Sequence, residues 1–164
     1  MRASQLGCEW IEIVRGVNRV FRHILIPTDG SELAQNAILY RVALAKEQKA
    51  KLTAVTVHRP FHIATLDPEM LEDTHKEYDR HVAEHAAKHL AVVSKAAAAA
   101  GVACDVVSLE HQHPYQAIVE GARDRQCDLI VMASHGRSGA SAVLMGSQTV
   151  KVLTHSKVPV LVYR

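Results

Sequence analysis

Short apolar runs alternate with longer amphipathic segments from residue 22 to the end of the chain. The runs are rich in β-branched residues and comprise His23–Pro27, Leu52–Val57, Val102–Leu109, Asp128–Met132 and Val158–Tyr163. The segments between them have helical character and comprise Ser31–Ala50, Pro68–Ala100, Pro114–Arg125 and Gly146–His155. Strands that alternate with helices predict βαβ units and a parallel sheet. Because the runs are apolar almost throughout, we expect an α/β fold with helices on both faces of a single open sheet.

Residues at the ends of these segments agree with the prediction. Ser31 is a good N-cap for the first helix, and Pro114 suits the first turn of the third. Gly101 follows a run of alanines, where a helix commonly ends in a left-handed residue.

The first 21 residues lie outside this alternation and form an N-terminal extension to a domain of residues 22–164. Apolar residues recur there at helical spacing, between Trp10 and Phe21, with charged residues opposite. One interpretation is an amphipathic appendage that docks on a partner subunit or a membrane surface. The other is a loosely attached tail, or an upstream start codon that lengthens the chain.

Composition narrows the class of protein. The 164 residues are 48% hydrophobic and 22% charged, which favours one globular domain over disorder. A formal net charge of +2 gives no electrostatic footprint for nucleic acid. Three cysteines without C-x-x-C spacing argue against a zinc site or a disulfide framework. No apolar run approaches the length of about 20 residues that a membrane span needs, so we expect a cytoplasmic protein.

The segment from Asp128 to Ser147 carries the clearest candidate chemistry. A strand-like run leads into a loop of small residues that contains Gly136, Gly139 and Gly146, and a helical segment follows. Glycines allow backbone N–H groups to close around an anion, and a helix N-terminus adds a partial positive charge. This arrangement predicts a phosphate site.

A second element, Pro27 to Ser31 (P-T-D-G-S), follows the first strand. In doubly wound sheets, ligands bind beyond the carboxyl ends of the strands, where the strand order reverses. If the first and fourth strands are neighbours, Asp29 lies across a crevice from the glycine loop. Its carboxylate can accept a hydrogen bond from an exocyclic amine or a sugar hydroxyl, so the pair of elements predicts a nucleotide.

From Arg22 to Arg164 the chain resembles the universal stress protein family. The resemblance rests on three segments: H-I-L-I-P-T-D-G-S, D-L-I-V-M-A-S-H-G-R-S-G and V-P-V-L-V-Y. It implies a Rossmann-like, five-stranded parallel sheet of strand order 3-2-1-4-5 and, in one branch of the family, ATP binding.

That branch is marked by G-x-x-G, nine residues, then G-S or G-T. Here Gly136 and Gly146-Ser147 match at the right spacing, but Ala133 occupies the first glycine position. An alanine there costs roughly 1 kcal/mol if its φ is positive and almost nothing if it is negative. We expect nucleotide binding to survive.

The resemblance also implies which residues surround the nucleotide. Asp29 and the backbone of Val57 would contact the adenine, in a pocket walled by Pro27, Thr28 and Met132. The phosphate side would be formed by Ala133, Gly136, Gly146, Ser147 and Gln148. The expected ligand is ATP, with ADP or AMP as alternatives and Mg²⁺ as an optional companion.

Simpler roles exist for some of these residues, since Asp29 and Ser147 are also good caps for the helices that follow them. His81, His85 and His89 share one helix face, but no cysteine or carboxylate completes a zinc pattern, so we predict no metal site. P-loop, dinucleotide and nucleophile-elbow motifs are absent from the sequence, and we predict no catalytic residues.

The C-terminal strand, residues 158–163, predicts how the chain assembles. Pro159 is tolerated at a sheet edge, and the family's strand order places this strand at one. An exposed apolar edge needs a cover, so we expect a homodimer through this strand. The predicted function is an ATP-binding regulatory or protective module in the stress response, with an unidentified protein partner. The alternatives are a slow Mg²⁺-dependent ATPase and a nucleotide-free dimeric scaffold.

Overall fold

Five strands and four helices alternate along the chain in the computed structural model, which describes residues 20–31, 34–35, 37–61, 68–134 and 145–164. The strands are β1 (His23–Pro27), β2 (Lys51–His58), β3 (Cys104–Glu110), β4 (Leu129–Ala133) and β5 (Val160–Tyr163). The helices are α1 (Ile38–Gln48), α2 (Pro68–Ala100), α3 (Pro114–Asp124) and α4 (Ser147–His155). The N-terminal extension, except for its last two residues, lies outside the described part of the chain.

The strands form one parallel sheet in the order β3-β2-β1-β4-β5. This confirms the predicted fold class and strand order. The order reverses between β1 and β4, which pair with Ile24 opposite Leu129 and Leu25 opposite Ile130. In such sheets the crevice at the reversal is where ligands bind.

Two apolar layers cover the faces of the sheet. On one face, α1 and α2 pack on the sheet through residues such as Val42 and Val93, together with Ile24 and Ile26 of β1. On the other face, α3 and α4 pack through Ile118 and Val152, with alternate strand residues beneath them. The central strands β1 and β4 are therefore covered on both sides, as is typical of a parallel sheet.

The predicted signals at Pro114 and Gly101 are confirmed, whereas Ser31 forms a cap-like bond ahead of α1, whose own N-cap is Ala37. The Ser31 side chain accepts from the Ala34 N–H at 3.3 Å, and Pro114 occupies the first turn of α3. Gly101 ends α2 with a φ of +72°. The regular part of the first predicted helix begins later than expected, at Ile38.

The two cysteines of the described residues carry protonated thiols. Cys104 and Cys127 are free thiols. Burial raises the pKa of Cys127 to about 11 and also raises the pKa of Cys104, so both thiols stay protonated and unreactive at neutral pH. In the same part of the chain, no helix has the length and apolar character needed to cross a membrane.

Candidate functional site

The turn after β1 is fixed by short-range hydrogen bonds. The Thr28 N–H donates to the Val55 carbonyl at 2.8 Å, which extends the β1–β2 pairing past the end of β1. The Gly30 N–H donates to Thr28 Oγ1 at 3.3 Å, and the Ser31 N–H donates to Asp29 Oδ1 at 3.0 Å. The bond from Ser31 to Asp29 closes an Asx turn, the local structure that Asp favours ahead of a helix. Asp29 is therefore oriented by the backbone that follows it.

Gly30 is required in this turn for two reasons. Its φ of +73° lies in the left-handed region, and a Cβ built on it would overlap the imidazole ring of His89 from α2. The ring packs directly on the glycine, so α2 supports the turn from outside. His81, His85 and His89 lie in line on α2, as predicted, with ring centroids 4.3 and 6.0 Å apart.

The segment between β4 and α4 leaves the sheet at Ser134 and returns to the same residue. The Ser134 N–H donates to the Tyr163 carbonyl at 2.7 Å, and the Gly146 N–H donates back to the Ser134 carbonyl at 2.8 Å. The buried Thr149 hydroxyl donates to the Ala133 carbonyl at 3.0 Å. The predicted phosphate loop thus has both ends anchored at the carboxyl end of β4. Residues 135–144, which include Gly136, lie outside the described part of the chain.

Ala133 is the last residue of β4, paired with Tyr163. The non-glycine residues with positive φ in the described chain are Lys49 and Gln126, so Ala133 has an ordinary strand conformation. A positive φ at Ala133, the costly one of the two alternatives, is therefore excluded. The alanine carries no conformational cost.

The N-cap of α4 is a glycine, which has no side chain to cap the helix. Gly146 is the N-cap, Ser147 begins the helix, and the first intrahelical bond runs from the Val150 N–H to the Gly146 carbonyl. The N–H groups of the first turn therefore point out of the helix end, where an anion is favoured. Ser147 does not act as the cap, which was one of the simpler roles considered for it.

The Gln148 side chain has a structural partner. Its Oε1 accepts from the Tyr115 N–H at 3.1 Å, in the first turn of α3. Gln148 therefore joins the N-termini of α3 and α4. This bond uses only the amide oxygen, so a phosphate would contact the donors of Gln148, its backbone N–H and its side-chain Nε2.

The predicted residues outside the glycine loop come together at three adjacent strand ends. Pro27 pairs with Val55, so Val57 lies two residues further along β2, level with Asp29. Continuing the β1–β4 register by two residues places Pro27 level with Met132. Thr28 and Met132 are buried, and Asp29 is half-buried. The ends of β1 and β4 therefore place buried Thr28 and Met132 close to a half-buried carboxylate.

Sequence reasoning missed one charged residue at this site. Arg41 of α1 is 1% exposed, and its Nη1 donates to the Pro27 carbonyl at 3.4 Å. Burial lowers the pKa of Arg41 to about 10, against the opposing effect of the Asp29 charge, so the group remains cationic at neutral pH. The signal was present in the sequence, because Arg41 stands in the apolar stripe of its helix, between Ile38 and Val42.

A metal centre has no support in the part of the chain that the structure describes. No three His, Cys, Asp or Glu side chains within it are arranged to hold a metal ion. The chemistry that the crevice offers is instead recognition by hydrogen bonds and a helix N-terminus.

Comparisons with known proteins agree on one family. The sequence model of the universal stress protein family matches residues 21–164. Universal stress protein MJ0531 of Methanocaldococcus jannaschii is 32% identical over 152 residues, covering 93% of this chain and 87% of the relative.

Solved structures share the fold. The structure of MJ0577, from the same organism, has a TM-score of 0.72 at 27% identity and covers 86% of this chain and 94% of its own. A universal stress protein solved in complex with cAMP has a TM-score of 0.63 at 23% identity, covering 88% and 97% of the two chains.

Proposed function

Because the chain belongs to the universal stress protein family, we propose that it binds an adenine nucleotide, ATP in the first place. In this proposal it acts as a nucleotide-dependent regulatory or protective module in the stress response. One observation carries the proposal. The oriented Asp29 turn and the N-terminus of α4, with its glycine N-cap, belong to loops that follow neighbouring strands, at the point where the strand order reverses.

The two halves of the crevice suit the two halves of a nucleotide. Asp29, the Val57 backbone and the apolar walls of Pro27, Thr28 and Met132 would receive the base. Gly136, Gly146, Ser147 and Gln148 would hold the phosphates, with Ala133 next to the ribose. A related fold solved with cAMP supports adenine as the base. Mg²⁺, where present, would be held by the phosphates and by the Ser147 hydroxyl.

The direct test is to heat-denature freshly purified protein and identify the released nucleotide by chromatography. We expect ATP or ADP at about one molecule per chain, since a preorganised site retains its ligand through purification. Protein that is empty, and that also fails to bind added ATP at millimolar concentration, would falsify the proposal. Phosphate release in proportion to protein, lost in Asp29→Ala, would identify a slow ATPase instead.

Ala133→Gly tests whether the alanine in the glycine motif matters. Because Ala133 has a strand conformation, we expect ATP affinity to change by no more than about threefold, which is about 0.6 kcal/mol. The free energy of unfolding should fall by about 0.5–1 kcal/mol, the usual cost of glycine inside a strand. Calorimetric titration and thermal unfolding measure the two effects. Tenfold tighter binding would show that the methyl group obstructs the ligand.

We also propose that the chain is a homodimer paired through β5. This strand ends the sheet, and Leu161 on it is 47% exposed. Exposed apolar side chains continue on α1, where Leu39 is 72% exposed and Tyr40 stacks on Tyr163 with ring centroids 4.9 Å apart. An apolar edge of this kind is stabilised when a second chain covers it.

Leu161→Arg should convert the dimer to single chains at micromolar concentration, because it places a charge in the covered edge. Val106→Arg is a matched control, since Val106 is also 47% exposed but lies on β3, at the opposite edge of the sheet. Light scattering of the three proteins measures the mass. A wild-type mass of one chain, or dissociation by Val106→Arg, would contradict the proposed interface.

A further inference from the structure

Arg41 is the largest fully buried side chain among the described residues, and it is poorly satisfied there. Its Nε and Nη2 atoms have no hydrogen-bond partner in the described part of the chain. Its Nη1 has the Pro27 carbonyl as an acceptor, at the long distance of 3.4 Å. A buried cation with open donors destabilises a fold, because the lost hydration is not replaced.

The position of this cation relates it to the crevice. The Pro27 carbonyl that Arg41 contacts lies two residues before Asp29, and Asp29 is the charge that acts on the guanidinium. Asp29 in turn accepts from the Ser31 N–H, so its carboxylate is held between a backbone donor and a nearby positive charge. Arg41 therefore contacts the start of the turn from α1, while His89 packs on Gly30 from α2.

The fold itself has little need of the charge. Apolar residues of similar volume often replace buried ionic groups without loss of stability, or with a gain. Arg41 lies between Ile38 and Val42 on a helix face that is otherwise apolar, where a methionine would pack well. Asp29 is only half-buried, so water can solvate its carboxylate if the arginine is removed. Residues that conflict with their surroundings in this way are typical of functional sites.

We propose that Arg41 is a positioning residue for adenine-nucleotide recognition, which acts through the Pro27 carbonyl and the Asp29 carboxylate. The inference rests on the proposed function and adds to it the source of its specificity. Arg41 holds the turn so that the Asp29 carboxylate stays directed at the ligand group it accepts from, either the exocyclic amine or a ribose hydroxyl. The buried charge is thus retained for ligand selection, at a cost in stability.

The test compares three nucleotides on four proteins by calorimetric titration. Inosine triphosphate lacks the exocyclic amine of ATP, and 2′,3′-dideoxy-ATP lacks both ribose hydroxyls. The variants are Arg41→Met, Arg41→Lys and the control Arg123→Met, which removes the same charge from an exposed position on α3. Thermal unfolding of each protein is measured without ligand.

In Arg41→Met we expect one of two affinity ratios, ATP to inosine triphosphate or ATP to dideoxy-ATP, to fall by about tenfold. The ratio that falls identifies the ligand group that Asp29 accepts from. The melting temperature should stay the same or rise. Arg41→Lys, which keeps the charge, should restore the ratio to within about threefold of the wild type, and Arg123→Met should leave it unchanged.

Two results would overturn the inference while leaving the proposed function intact. One is that all three affinities fall by a common factor in Arg41→Met together with a lower melting temperature, which describes a merely structural residue. The other is unchanged affinity for every nucleotide. If the wild type binds none of the three nucleotides, the proposed function itself fails and the inference fails with it.

Discussion

Asp29→Asn should weaken ATP binding by about 10- to 100-fold, because a hydrogen bond to a charged group contributes about 1.5–3 kcal/mol. The substitution removes the charge and keeps the shape. Its amide oxygen can still accept from the Ser31 N–H, so the Asx turn persists and a lost affinity reports on the ligand contact. Calorimetric titration with ATP measures the effect.

The control for this substitution is Asp124→Asn, which removes an aspartate of the exposed pair with Arg123. It changes the net charge equally and lies at the end of α3, away from the crevice. We expect it to bind ATP as the wild type does. If the two variants bind ATP equally well, Asp29 contributes only to the turn, and the base is recognised by other groups.

Much of the fold was predictable because it depends on local pattern. The bounds predicted for β1 are those observed, since an apolar run between polar residues leaves little choice of register. Where the observed strand bounds differ from the predicted ones, backbone groups form hydrogen bonds with a helix end or a side chain instead of with a neighbouring strand. Val102 was predicted in β3, but its N–H completes the end of α2 on the Ala97 carbonyl. Val158 was predicted in β5, but both its N–H and its carbonyl bond to the Ser156 hydroxyl.

The candidate site was predictable only in part. The positions after β1 and β4 follow from the topology of parallel sheets, so Asp29 and the ends of the glycine loop could be placed in advance. The hydrogen-bond partners of long side chains could not be placed in advance, because they depend on how separate helices and strands pack. The Gln148 side chain, for example, accepts a hydrogen bond from the Tyr115 N–H of another helix, which no local pattern indicated. Arg41 was overlooked because an arginine in a helix is usually solvated.

Backbone groups and side chains have different roles in the proposed site. Backbone groups, such as the N–H groups at the start of α4, can hold phosphates of any nucleotide. Discrimination among bases would require side chains that are fixed in direction, and in the proposed site Arg41 of α1 and His89 of α2 contact the turn that carries Asp29. The contacts that we propose for ligand selection are therefore the ones that local sequence patterns reveal least.

Gly30→Ala should lower the free energy of unfolding by about 3 kcal/mol. Of this, about 1–2 kcal/mol comes from an alanine held at positive φ. The rest comes from the new Cβ, which must displace the His89 ring, since overpacking of this kind costs about 1–3 kcal/mol. Denaturant unfolding followed by circular dichroism measures the change.

Gly101→Ala separates the two contributions to this loss. Gly101 has nearly the same φ, +72° against +73°, but a Cβ on it would meet nothing within 4 Å. We therefore expect Gly101→Ala to cost only the conformational part, about 1–2 kcal/mol. In a His89→Ala background the cost of Gly30→Ala should fall to the same value, because the ring is gone. A cost that stays near 3 kcal/mol in that background would mean that α2 does not support the turn through His89.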